Sequence, residues 1–174
     1  MGALCEGRVV IITGAGRGIG REHALAYAAE GARVVVNDLG AGGDAAGPAH
    51  EVVAEIRALG GEAIANGEDV ADWEGAGRLV RAAIETYGGL DVVVNNAGIL
   101  RDRMFVSSSV DDWDAVMHVH LRGHYCVSRH AAGYWRGRAK AGEMPDARII
   151  NTSSGSGLNG SVGQSNYAAA KAGI

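Results

Sequence analysis

Tyr167 and Lys171 stand four positions apart, and Ser154 lies thirteen positions before the tyrosine. On a helix, residues at i and i+4 share one face. An ammonium held beside a phenol favours the phenolate, drawing the group down from its ordinary value of about 10. A phenol tuned this way gives or takes a proton at an alcohol or carbonyl oxygen. Tyr-x-x-x-Lys recurs by chance in helices, so its meaning depends on the elements that would position it.

Near the other end, the β-branched run Val9-Val10-Ile11-Ile12-Thr13 passes into Gly14-Ala15-Gly16-Arg17-Gly18-Ile19-Gly20 and then a segment of helical composition. Strand, glycine turn and helix form the setting of a dinucleotide loop. Side chains there would keep a pyrophosphate away from backbone N–H groups and the positive end of the helix dipole. Gly14, Arg17, Gly18, Ile19 and Gly20 are therefore candidate cofactor residues. The spacing Gly-x-x-x-Gly-x-Gly differs from the commoner Gly-x-Gly-x-x-Gly.

A second short strand ends at Asn37-Asp38. An acid about 20 residues past the glycines can accept hydrogen bonds from the adenosine ribose. Its charge would repel a 2′-phosphate, so Asp38 argues for NAD over NADP. Arg17 argues more weakly for NADP, since a guanidinium pairs well with a phosphate.

Short apolar strands then alternate with helical stretches, predicting an α/β fold with a doubly wound parallel sheet. Strands are expected near Val9–Thr13, Arg33–Asn37, Glu62–Asn66, Asp91–Asn95 and Arg148–Thr152. Helices are expected near Gly18–Glu30, Ala49–Leu59, Asp72–Tyr87 and Val110–Arg138, with a last one opening near Ser165. Leu39–Pro48 reads as a mobile Gly/Ala-rich loop, and Gly137–Pro145 as a polar connection. Neither a repeat nor an interdomain linker is evident, so residues 1–174 read as one domain. Trp113 and Trp135 read as core rather than interface anchors.

Ligands of open α/β sheets bind along the carboxyl edge of the strands. Asp69-Val70 and Asn95-Asn96-Ala97-Gly98 both fall there. Asp69 could accept from the adenine amino group while the backbone of Val70 fixes the ring, and Asn96, Ala97 and Gly98 offer amides and small residues to the adenosine. Asp69 could equally cap the next helix.

Composition narrows the partners. Net charge is −4 without a basic stripe, which argues against nucleic acid. Cys5 and Cys126 give no disulfide framework, no apolar run reaches spanning length, and no signal peptide is apparent. A cytoplasmic protein with no membrane association is expected.

Together these residues resemble the short-chain dehydrogenase/reductase family. The resemblance rests on Thr13-Gly14-x-x-x-Gly18-x-Gly20, Asp69, Asn95-Asn96-Ala97-Gly98, Ser154, Tyr167 and Lys171, in family order from Arg8 to the last residue. It implies a Rossmann-type, three-layered fold, a nicotinamide cofactor, and alcohol–ketone interconversion without metal. It makes Tyr167 the general acid/base and has Ser154, rather than Ser153, hydrogen-bond the substrate oxygen. Lys171 would tune the tyrosine and hold the nicotinamide ribose, with Tyr167 counted beside it among the cofactor-binding residues. The hydride comes from the cofactor.

The family usually carries a water-holding asparagine on its long helix, where this chain has Val119-His120-Leu121-Arg122-Gly123. Imidazole can also hold a water, so His120 is a candidate relay residue. A metal at His118, His120 and His124 is disfavoured because no carboxylate accompanies them, and His118 and His124 read as partly buried helix residues.

Val34 to Gly40, Val92 to Arg103 and Val119 to Gly123 are similar to the hydroxyacyl-CoA dehydrogenase branch found in peroxisomal multifunctional enzyme type 2. That resemblance implies NAD-linked oxidation of a 3-hydroxyacyl thioester, with a steroid alcohol as a second substrate class. Arg101, Arg103 and Arg122 could then meet the acidic groups of CoA. The alternatives are an NADPH-dependent 3-oxoacyl carrier-protein reductase and a non-catalytic dinucleotide-binding protein.

The family also implies homodimers or homotetramers and a substrate-binding part after the sixth strand, which this sequence lacks. A polypeptide ending at Ile174 is expected to be inactive and poorly folded, with the functional protein continuing beyond it.

Overall fold

The computed structural model describes residues 3–39 and 47–174. Most of the loop expected between Leu39 and Pro48 lies outside the described residues. Five strands, β1 (Val9–Thr13), β2 (Arg33–Asn37), β3 (Glu62–Asn66), β4 (Val92–Asn95) and β5 (Arg148–Asn151), form a parallel sheet ordered β3-β2-β1-β4-β5. The strand order reverses beside β1, which creates a crevice at its carboxyl end.

Alternation along β1 divides the core between the two faces of the sheet. Val10 and Ile12 join Val34, Val36, Val92 and Val94 beneath α1 (Gly18–Ala29) and α2 (Pro48–Ala58). Val9 and Ile11 join Val35 and Val93 beneath α3 (Trp73–Tyr87) and the long helix that follows β4. All five β1 residues are buried, as expected of a strand covered on both faces. Full burial of a side chain such as Leu79 or Ile56 contributes about 2–3 kcal/mol.

Helix ends follow local chemistry. The Asp72 carboxylate accepts from the Gly75 amide to start α3, which ends at Gly88 with φ 80°. The helix α4 (Val110–Met117) begins with a reciprocal Ser109–Asp112 capping box.

The expected single helix Val110–Arg138 is interrupted. After α4, residues His118–Arg122 form a π-helical turn, and α5 runs over Gly123–Lys140. The Gly123 amide reaches back five residues to the His118 carbonyl. Sequence periodicity does not distinguish such a turn from continuous α-helix, and π-turns concentrate at functional sites.

Lesser differences are of the same kind. The last turn of α5 takes up part of the expected connection after Gly137, and β4 and β5 are each one residue shorter than expected. A short helix α6 (Gly155–Asn159), not foreseen, precedes α7 (Ser165–Gly173). Trp135 is buried and donates to the Leu90 carbonyl at 2.6 Å, whereas Trp113 is 38% exposed and anchors no core. Among the described residues no helix is long and apolar enough to cross a membrane.

Candidate active site

The turn after β1 is held from below by the segment after β4. The Asn96 side-chain amide donates to the Thr13 and Gly14 carbonyls, and the Thr13 hydroxyl accepts from the Asn96 and Ala97 amides at 2.9 and 3.0 Å. Gly14 has φ 61°, and a Cβ there would stand 2.7 Å from the Ala97 Cα. A Cβ on Gly20 would strike the Gly14 carbonyl oxygen at 2.3 Å. Asn96 and Ala97 thus shape the loop, with the Asn96 amide protons committed to loop carbonyls rather than turned to a ligand.

The residues fit a dinucleotide phosphate. The tip formed by Arg17, Gly18 and Ile19 is exposed, and a Cβ on Gly18 would meet open space. The N-terminus of α1 has no side-chain cap, unlike those of α3 and α4, so its first amides are available to an anion. Asp38 lies against the loop, its Oδ2 accepting from the Gly16 amide at 3.1 Å. Asp69 uses one oxygen to hold the Ala71 amide at 2.8 Å. The Val70 side chain is buried in the core, which leaves only its backbone for the crevice.

The second half of the site rises from the end of β5. Ser154 opens α6, where its hydroxyl oxygen accepts from the Ser156 amide at 3.2 Å, so its own proton remains to be donated. The neighbouring Ser153 hydroxyl is already spent on the Lys171 carbonyl at 2.9 Å. Helices α6 and α7 pack closely here: a Cβ on Gly157 would lie 2.7 Å from the Lys171 carbonyl carbon. The Lys171 side chain is buried, donates to the Thr152 carbonyl and sets its ammonium 5.7 Å from the Tyr167 ring centroid. Burial pushes the Lys171 ammonium below the usual lysine value.

His120, at the centre of the π-turn, lies edge-on to Tyr167. Its Nε2 lies 3.1 Å from the Ile99 nitrogen and 2.8 Å from the Ile99 carbonyl oxygen, so one tautomer accepts from the amide and the other donates to the carbonyl. Nδ1 is buried without a hydrogen-bond partner among the described residues. Burial holds the ring below the ordinary histidine value, against the opposing pull of the Ile99 carbonyl.

The other two histidines separate. His118 is exposed rather than partly buried, and His124 is buried with its pKa pushed down to about 4 by desolvation and then by the Lys171 charge. Among the described residues no group of three His, Cys, Asp or Glu could hold a metal. Arg101 and Arg103 are exposed, and each guanidinium donates to the carbonyl of the residue before it, while Arg122 holds the Ala71 carbonyl at 2.8 Å.

Four further residues shape the site. Thr13 braces the loop, Gly157 admits the close approach of α7, and the buried Asn95 links Ser128 and Asn151. Asn166, beside Tyr167, is also buried. Thr13 and Asn95 stand within motifs quoted above, but nothing in their spacing reports these contacts. Asn166 could have been found as a polar residue one position before a candidate acid/base.

A parallel sheet with a glycine loop after its central strand, and Ser154, Tyr167 and Lys171 on the segments that follow β5, defines a Rossmann-type α/β scaffold. The chain belongs to the short-chain dehydrogenase family, whose model matches residues 8–174. It is 49% identical over 171 residues to the hydroxyacyl-CoA dehydrogenase ChsB1 of Mycobacterium tuberculosis, covering 97% of this chain and 54% of that protein. It is 51% identical over 173 residues to peroxisomal multifunctional enzyme type 2 of Mus musculus, covering 97% of this chain and 22% of that protein. A crystal structure of a short chain dehydrogenase from Mycobacterium avium superposes with a TM-score of 0.96 at 62% identity, over 98% of this chain and 60% of that one. The chain thus spans little more than half the length of ChsB1 and less of the mouse enzyme.

Proposed function

We propose that the protein is an NAD(H)-dependent dehydrogenase that interconverts a secondary alcohol and a ketone, with a 3-hydroxyacyl-CoA as the substrate class. The observation that carries the reading is the Tyr167 ring, its centroid 5.7 Å from the Lys171 ammonium and 5.2 Å from that of the His120 imidazole, together with a Ser154 hydroxyl that keeps a proton to donate. In this reading the Tyr167 phenol takes the alcohol proton, or returns it to the ketone oxygen, while Ser154 donates to the same oxygen. Lys171 supplies the positive charge that a phenolate requires and donors for the nicotinamide ribose. His120, kept neutral by burial, passes the proton onward through its unpartnered Nδ1.

The loop Gly14–Gly20, with the backbone of Val70 and the segment Asn96–Gly98, would hold the dinucleotide, and Asp38 and Asp69 would recognise its adenosine. The bound nicotinamide supplies or accepts the hydride. Asp38 supports NAD. The acyl-CoA class is supported by the likeness to ChsB1 and, among the residues, by the exposed guanidinium groups of Arg101 and Arg103. A homodimer or homotetramer of single-domain subunits in a cytoplasmic setting is the accompanying proposal.

Assay of the native-length protein with 3-hydroxyacyl-CoA and NAD tests the reading. Tyr167→Phe should abolish turnover while leaving dinucleotide affinity in place. Turnover that survives in Tyr167→Phe would remove the mechanism, and NADPH binding tighter than NADH would favour the carrier-protein reductase instead.

A further inference from the structure

We infer that Asn166 is a positioning residue that fixes where the Tyr167 phenol sits by tying α7 to the loop and helix that follow β4. The inference rests on the reading of Tyr167 as the proton-transfer group.

Asn166 is 2% exposed, and its side chain is hydrogen-bonded at both ends. Nδ2 donates to the Arg101 carbonyl at 3.2 Å and to the Asp112 carbonyl at 3.3 Å. Oδ1 accepts from the Tyr167 amide at 2.7 Å. These bonds join three pieces of backbone: the loop after β4, the first turn of α4, and the first turn of α7. Helix formation alone does not call for this. As the second residue of α7, Asn166 can serve a first-turn amide through Oδ1, but the two Nδ2 bonds reach outside the helix and add nothing to it. With alanine there, two carbonyls would lose their side-chain donor.

The loop so held is fastened elsewhere by the rest of the site. His120 binds the backbone of Ile99. The Arg103 backbone amide donates to the Gly163 carbonyl at 2.9 Å, and the Gln164 side-chain Nε2 donates to the Asp102 carboxylate at 3.0 Å. Residues Ile99–Arg103 therefore hang between the ring partner of Tyr167 and its chain neighbour. The Asp112 contact adds α4, which leads directly into the π-turn carrying His120. Asn166 thus sets the distance from α7 to the His120 helix, and with it the placement of the phenol. Its hydrogen bonds involve neither the loop Gly14–Gly20 nor Asp38, so it should act on proton transfer and not on dinucleotide binding.

The test compares Asn166→Ala and Asn166→Asp in the native-length protein, with Tyr167→Phe alongside, using 3-hydroxyacyl-CoA and NAD. Misplacement of the reacting group should lower kcat about 10- to 100-fold in Asn166→Ala, with the dinucleotide Kd changed by less than about twofold. Asn166→Asp puts a carboxylate against two carbonyl oxygens beside Tyr167. It should lower kcat and move the acid limb of the kcat–pH profile to higher pH, because a carboxylate there disfavours the phenolate. If Asn166→Ala fails to fold, Asn166→Ser, which keeps one donor, is measured in its place. A kcat within twofold of wild type and an unmoved pH profile, even with a lowered Tm, would overturn the positioning role. That outcome with an inactive Tyr167→Phe leaves the functional reading intact, whereas an active Tyr167→Phe removes that reading itself.

Discussion

The His120 imidazole meets the Tyr167 ring edge to face, with centroids 5.2 Å apart and planes at 85°. An edge-on aromatic contact restrains both rings without covering the phenol oxygen. The histidine is also clamped from the far side, because its Nε2 is bound to the Ile99 backbone. The proposed acid/base therefore leans on a side chain that is itself fixed to the loop over the crevice.

Removing that support should slow the chemistry more than binding. We expect His120→Ala to lower kcat by about 100-fold, the low end of effects seen for proton-transfer groups. His120→Asn should recover part of the loss, since an amide can hold a water and bond to Ile99 at shorter reach. Steady-state kinetics across pH checks this. An unchanged kcat and profile in His120→Ala would take His120 out of the mechanism.

How much of this was legible in the sequence depends on the range of the signal. The ends of β1 and β2 are legible from β-branched runs bounded by turn residues, and those of β3 from a short apolar segment after Gly60-Gly61, because those signals are local. The glycine loop was legible because its chemistry demands missing side chains. The π-turn at His118–Arg122 was not, since one inserted residue per turn leaves hydrophobic spacing almost unchanged. The bracing roles of Thr13, Asn96 and Asn166 depend on contacts between segments tens of residues apart, which no window along the chain reports. Trp113 misled because an aromatic residue on a helix signals burial without naming a partner, and here the surface is left open.

Cofactor preference should follow Asp38. Its Oδ2 accepts from Gly16, and a Cβ on that glycine would come within 2.9 Å of it, so the carboxylate sits on the loop itself. A 2′-phosphate brought there would meet a like charge. Asp38→Ser should weaken NADH binding about tenfold, or about 1.4 kcal/mol, and tighten NADPH binding. Arg17→Ala in the same background should reverse the NADPH gain. Fluorescence titration of both dinucleotides reads the ratio, and an unmoved ratio would show that Asp38 does not set the preference.

Stability should fall on mild acidification. His124 titrates near its ordinary value of about 6.5 when unfolded, but its folded pKa is about 4. Between those values the unfolded chain binds more protons, so stability is lost as pH falls through this window. The full effect is on the order of 3 kcal/mol, and His120, also lowered by burial, adds to it. Denaturant midpoints measured from pH 7.5 to 5 should show the slope, and His124→Gln should flatten it. Equal slopes in wild type and His124→Gln would locate the acid sensitivity elsewhere.

Gly98 gives the sharpest steric test of the arrangement. A Cβ there would stand 2.3 Å from the His120 Cε1 and 3.1 Å from both ring nitrogens. The ring cannot slide away easily, because Nε2 is tied to Ile99 and its edge already rests on Tyr167. Gly98→Ala should therefore cost about 1–3 kcal/mol as overpacking and lower kcat by displacing His120 toward the tyrosine. Because the clash is with one removable side chain, the double variant Gly98→Ala/His120→Ala should be more stable than the sum of the single changes predicts. Its kcat should resemble that of His120→Ala alone. Chemical denaturation and kcat for the four members of the cycle measure this coupling directly. Additive effects would mean that Gly98 is needed for the backbone of the turn or for the dinucleotide, and that the packing of His120 on Gly98 does not govern the site.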